Sequence, residues 1–359
     1  MPAKTILSPA QRAAIFDPPA DHATIERLYT LGPADLVQVA RRRRGPNRIG
    51  HAVQLCYLRH PGRALVAGEA VPDAMLELLA GQIGCDATDF ASYAARPTTL
   101  REHRAEIEAW LGLRAFERAD VRSMLAVGSE IAASTDRGET IVAGMVDRLR
   151  LGRIVLPAAS TLERLALIVR TRARKAAHAG LIRDCPAEQQ AALDRLIASD
   201  DDGRTRLGWI REWPEAPSAA NLKGIVERLD AVRAIGIAAD GARRIHAARY
   251  AVIARTAGLV TAQHLRRLER PRRFAMLVAS MIEMEAALTE ALSQTRGVYP
   301  ALTIEPAWHL PFRRPPHDPV CHRRQAQDAR QGRLQGPALR GGSDRSGRRL
   351  VPALPAELS

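Results

Sequence analysis

The chain has 359 residues, enough for two domains with cores of their own on the usual prior of about 100–200 residues each. Apolar residues make up 46%, which excludes a largely disordered chain, and a net charge of +14 with a pI of about 10.7 favours a polyanionic partner. No apolar run reaches membrane-spanning length and none follows Met1-Pro2-Ala3-Lys4, so neither a membrane span nor a signal peptide is expected.

Residues 1–20 are Pro-rich and read as an arm that orders on contact. A helix is expected from about Asp21, with Ile25, Leu28 and Tyr29 on one side, stopping at Gly32. Pro33 opens a second helix through Leu36, Val39 and Ala40, which delivers four consecutive arginines, Arg41, Arg42, Arg43 and Arg44. Gly45-Pro46 forces a turn, Asn47 offers a cap, and a further helix runs to His60-Pro61-Gly62. That is the layout of a helix-turn-helix. Its corner would set guanidinium groups beside free helix N-terminal amides, as a phosphate backbone requires. Cations at a helix C-terminus also offset the helix dipole, so a solvated cap explains the same run. Ile49, Val53, Cys56, Tyr57 and His60 share one face, with Leu55 and Leu58 elsewhere. The helix is therefore mostly buried, and only its first turn (Asn47, Arg48, His51) is free for a ligand. Arg63, just past the break, joins this first basic zone.

Shorter helices follow over Pro72–Ile83 and Asp86–Ala94, then longer ones over Pro97–Leu111, Glu117–Ala133 and Gly138–Leu151. The strand-like run Ile154-Val155-Leu156 is too short for a sheet and is taken as the link between a helical domain 1–155 and a second one, 156–291. Ser160-Thr161-Leu162-Glu163 has the pattern of a capping box. In the helix it opens, Leu162, Leu165, Ala166, Val169, Ala173 and Ala176 share one face. Arg164, Arg170, Arg174, Lys175 and His178 fall on the other, a ridge with no acid of its own after Glu163. Asp200-Asp201-Asp202-Gly203 reads as a loop rather than a metal cage, since adjacent acids diverge. Trp209 and Trp213 share a helix face, with core packing favoured over base stacking. Helices over Ala219–Ile235 and Gly241–Thr256 lead to a segment capped by Thr261, then an apolar helix after Pro271. Arg243, Arg244, Arg266, Arg267, Arg272 and Arg273 make the third basic zone.

Periodicity ends near residue 291. Residues 300–359 hold 9 of the 23 prolines, and 292–359 read as a disordered, frameshifted tail in which His309, His317, Cys321 and His322 are not expected to hold a metal. The chain contains no Walker A, G-x-S-x-G or H-E-x-x-H pattern, and its acids sit at caps and surfaces. No catalytic residue, metal site or cofactor is expected in it. Cys56, Cys85, Cys185 and Cys321 are too widely spaced for C-x-x-C, so reduced thiols in the cytoplasm, at the nucleoid, are the default.

Phrases spread along the chain carry a resemblance. Arg42-Arg43-Arg44-Gly45-Pro46-Asn47-Arg48-Ile49-Gly50 leads into Ala52-Val53-Gln54-Leu55-Cys56-Tyr57-Leu58-Arg59 and Pro61-Gly62-Arg63. Phe16-Asp17-Pro18-Pro19, Tyr29-Thr30-Leu31, Arg101-Glu102-His103, Leu156-Pro157, Leu162-Glu163-Arg164 and Arg272-Arg273 fit in the same order. Over about residues 5–290 the chain resembles the N-terminal region of class II replicative transposases, the Tn-three type. The resemblance implies an all-α, DNA-binding region with helix-turn-helix-like elements that holds the terminal inverted repeats of a transposon, with the full-length transposase as a further partner. It also implies that the DDE-type catalytic domain, which would need Mg²⁺, lies further C-terminal and is absent from this chain. The alternatives are a helical protein-interaction scaffold with non-specific nucleic-acid affinity, and a nuclease with an unrecognised site.

Overall fold

Apolar residues at helical spacing, punctuated by Gly and Pro, give sixteen α-helices and one 3₁₀ turn in a computed structural model that describes residues 5–93, 97–212 and 219–298. The helices are α1 (Pro9–Phe16), α2 (His22–Tyr29), α3 (Pro33–Ala40), α4 (Gly45–Arg59) and α5 (Asp73–Ile83). After the 3₁₀ turn Ala87–Ser92 come α6 (Pro97–Leu111), α7 (Arg118–Ser134), α8 (Gly138–Leu151), α9 (Ala159–Ile182) and α10 (Ala187–Ile197). The remainder are α11 (Arg206–Arg211), α12 (Ala219–Arg233), α13 (Asp240–Arg243), α14 (Ala247–Leu259), α15 (Ala262–Arg266) and α16 (Arg270–Val298). The described residues form no sheet, and their β-bridges are isolated, at Arg63–Leu156, Arg114–Ile154 and Ser199–Thr205. The fold is all-α. Among the described residues, no helix is long and apolar enough to cross a membrane.

Several ends follow the expected chemistry. Asp21 accepts from the Thr24 amide to start α2, Thr261 does the same for α15 with His264, and α5 ends on Gly84 in the left-handed region at φ 62°. Others depart from it. Residues 5–20 are not an arm: Ser8 and Gln11 make a reciprocal capping box, and Leu7 and Phe16 are buried in the core. Asn47 does not cap α4, because the helix begins two residues earlier with Arg44 at the N-cap and Pro46 in its first turn, where proline's missing amide costs nothing. The Ser160–Glu163 box does not form either. Glu163 is buried and bonded to Arg12 at 2.6 Å, tying α1 to α9. The expected Gly241–Thr256 helix divides at Arg244–His246, where His246 caps α14 by accepting from Ala248. Of the expected disordered tail, residues 292–298 instead continue α16 as helix, and the remainder lies outside the described residues, as does Trp213.

Three apolar clusters hold the helices. One gathers Ile25, Tyr29, Ile49, Leu55 and Tyr57 with Leu79, Ile107 and Val155. A second joins Phe16, Met124, Met145 and Leu149 to Leu162, Leu165 and Val169 of α9, and includes Ile154 and Leu156. The third packs Ala177 and Leu181 of α9 against Leu193, Ile210, Leu229, Tyr250 and the Phe274–Met281 stretch of α16. One continuous helix, α9, is thus shared between two cores.

Candidate nucleic-acid interface

Helix α4 is buried from Ile49 to Leu58. Two glycines explain how its N-terminal half is covered. A Cβ at Gly50 would lie 2.1 Å from the Tyr93 ring, and one at Gly45 would lie 2.1 Å from the Asp89 carboxylate. The 3₁₀ turn and Tyr93 therefore sit directly on the helix backbone. Beneath them runs a polar chain in which Gln54 Nε2 donates to Tyr93 Oη at 2.5 Å and Tyr93 Oη meets His103 Nδ1 at 2.9 Å. His51 packs edge-on against His103, their centroids 5.3 Å apart. His51 was expected to be open to a ligand, but it is 2% exposed; burial, with Arg42 and His103 nearby, pushes its imidazole pKa down to about 3.

The corner between α3 and α4 separates the arginines by role. Arg41, Arg43 and Arg44 are exposed and carry no ion pair with any described residue. Arg42 is half-buried and pairs with Glu106 of α6 at 2.6 Å, which anchors the corner. Arg48 is spent internally, donating to the Ile83 carbonyl at the end of α5 at 2.6 Å. Arg63 is also structural: it donates to the Phe16 carbonyl at 2.7 Å, pairs with Glu69 and Asp17, and lies 5.1 Å from the Tyr57 ring centroid. Asn47 is half-buried, with no side-chain hydrogen bond to a described residue. What reaches solvent is thus Arg41, Arg43, Arg44 and Asn47, beside a helix N-terminus that no side chain caps.

The ridge along α9 is less one-signed than its sequence. Arg164 and Lys175 are exposed, but Asp136, from the α7–α8 connection, pairs with Arg174 at 3.1 Å. Arg170 is half-buried, and desolvation lowers its pKa from the usual guanidinium value. Arg172 is exposed and without an ion pair among the described residues; it belongs with the ridge although its sequence position did not single it out.

In the third zone Arg243 pairs with Asp240 at 3.2 Å, Arg244 with Asp184, and Arg273 with Asp194 at 3.1 Å. Arg266 donates to Ser199 Oγ at 3.1 Å, while Arg267 and Arg272 are exposed. The second and third zones meet at His178, whose pKa is lowered by burial and by Arg272, Arg174 and Arg249 around it. Arg249, absent from the sequence-based set, is 5% exposed. Arg206 and Arg228 lie over the Trp209 ring at 3.7 and 4.8 Å from its centroid, leaving it to internal packing. No group of three or more His, Cys, Asp or Glu suited to a metal occurs among the described residues.

The sequence that builds this arrangement has counterparts among known proteins. The family described as a domain of unknown function, DUF4158, matches residues 6–169. That match ends on Val169, the last α9 side chain buried in the second cluster. The chain is 33% identical over 293 residues to the transposase of transposon Tn3926 from Escherichia coli. It is 31% identical over 293 residues to that of Tn501 from Pseudomonas aeruginosa, and 28% over 290 residues to that of Tn1546 from Enterococcus faecium. These alignments take in 80–81% of this chain but only 29–30% of each relative's length. The protein is a relative of the Tn3-family transposases over about four fifths of its length.

Proposed function

We propose that the chain binds duplex DNA at the terminal inverted repeats of a transposon and does not itself cut it. The relatives are transposases, whose substrate is DNA, and the charge of +14 suits a polyanion. The observation that carries the reading is the α3–α4 corner. Three exposed arginines without carboxylate partners adjoin the uncapped start of a helix held rigid by the core. Arg41, Arg43 and Arg44 contact phosphates, and Asn47 reaches a base edge, with its donor and acceptor suited to adenine. Arg164, Arg172, Lys175, Arg267 and Arg272 supply further phosphate contacts. The pair α3–α4 then works as a helix-turn-helix in which only the first turn of the second helix enters the groove.

The test is a salt titration of binding to a duplex carrying the terminal inverted repeat of the protein's own element and to a scrambled duplex. Preference for the repeat is expected, with a log–log slope near −0.9 per neutralised phosphate, and no cleavage with Mg²⁺ or Mn²⁺. Equal affinity for the two duplexes would reduce the protein to a generic polyanion binder, and metal-dependent cleavage would make it a nuclease.

A further inference from the structure

Helix α14 touches the N-terminal part of the molecule through one side chain whose bonds are unusually complete. Arg249 is buried, and its guanidinium covers the C-terminal end of α7. It donates to the Ala132 carbonyl, to the Thr135 carbonyl at 2.8 Å and to the Ala133 carbonyl at 3.3 Å, and pairs with Asp136 at 2.8 Å. The last carbonyls of a helix have no partner within it, so one planar fork takes up acceptors that would otherwise face the interior unpaired. These bonds of Arg249 join residues before α9 to a helix after it. Helix α9 runs through both parts, its first half in one apolar cluster and its second half in another. Asp136 is shared with Arg174, and Arg174 and Arg272 stand with Arg249 around His178. This joint therefore lies beneath the second and third basic zones.

We propose that Arg249 is a positioning residue for DNA. By bolting α14 to the end of α7, it fixes the separation and angle between the α3–α4 corner and the cationic surface of α9 and α16, so that one duplex meets both at once. This rests on the DNA-binding reading above. Two surfaces held in register make the second contact intramolecular, at an effective concentration set by how firmly they are held. Arg249, being buried, is not itself a phosphate contact.

The full chain is compared with Arg249→Met, Arg249→Lys and Asp136→Asn. Each binds mixed-sequence duplexes of about one helical turn, which span a single zone, and of about four turns, which span both. Arg249→Met should lower the ratio of long- to short-duplex affinity by about tenfold or more, while short-duplex affinity stays within about twofold. Arg249→Lys keeps the charge but cannot reach all the acceptors, and Asp136→Asn keeps the carbonyl bonds; both should fall between Arg249→Met and wild type. A helical Arg249→Met with the wild-type ratio overturns the proposal. If that variant does not fold, wild-type ratios in both milder variants overturn it instead. Absence of salt-dependent binding by the wild type to either duplex removes the DNA-binding reading, and this proposal with it. Equal weakening on both duplexes would show a general loss of fold and also count against a positioning role.

Discussion

An arginine's surroundings decide whether it is available, and arginines of the same basic zone give opposite predictions. Arg63 has a side chain only 15% exposed, with three kinds of partner: backbone carbonyls, two carboxylates and an aromatic ring. Arg63→Ala leaves the half-buried Glu69 carboxylate without its guanidinium and should cost about 2–4 kcal/mol, read as a lower denaturation midpoint at unchanged m-value. Converting Arg41, Arg43 and Arg44 together to Ala should leave that midpoint unchanged and flatten the salt slope of DNA binding by about 2–3 units. His51 supplies a pH dependence. Its pKa is near 3 folded and about 6.5 unfolded, so below pH 6.5 the unfolded chain binds a proton that the folded one refuses. Its contribution to stability is full above about pH 6.5 and is lost as pH falls toward 3. Thermal midpoints should therefore drop between neutral pH and pH 4, and less steeply in His51→Leu. His60, His103 and His178 are shifted in the same direction and should leave a residual slope. Identical slopes in the two proteins would show that His51 is not a source of it.

Among the elements, α4 shows what sequence periodicity conveys and what it misses. Its span and its largely buried character were legible in the run from Ile49 to Leu58, because apolar residues occupy more than one face. The burial of His51 was not, because it depends on a histidine of α6 and a tyrosine after the 3₁₀ turn, far apart in sequence. Arg48 was misread for the same reason: its acceptor is the carbonyl of Ile83, 35 residues on. The acids that neutralise the basic zones likewise lie far off in sequence, Glu106 and Asp194 on other helices and Asp136 in the α7–α8 connection. Helices were thus readable from local pattern, and the free cations only from tertiary pairing. Glycine makes the same point measurable. Gly50→Ala improves helix propensity, yet its methyl would enter the Tyr93 ring, which Gln54 and His103 hold in place. It should destabilise by about 1–3 kcal/mol. Gly81, exposed in α5 with nothing within 4 Å of an added Cβ, should gain about 0.5–1 kcal/mol on the same change. Chemical denaturation of the two single variants checks both signs, and a stabilising Gly50→Ala would mean that Tyr93 can yield.

For the whole molecule, α9 has a consequence for ancestry. At the usual rise its 24 residues span about 36 Å. Leu162 to Val169 belong to one core and Ala177 to Leu181 to another, while no residue from 170 to 176 is buried. A genetic crossover between relatives in that middle stretch, just beyond Arg174 so that its pairing with Asp136 stays native, would hand each parent's apolar face to its own partners. A crossover after Leu156 would instead graft a foreign half-helix onto Met124, Met145 and Leu149, which have adjusted to Leu162, Leu165 and Val169. Hybrids with the transposase of Tn1546, itself 28% identical, should therefore unfold cooperatively when spliced between Lys175 and Ala176, and lose several degrees or fail to fold when spliced after Leu156. The seam along which such proteins can exchange parts would then lie inside an unbroken helix rather than at a loop.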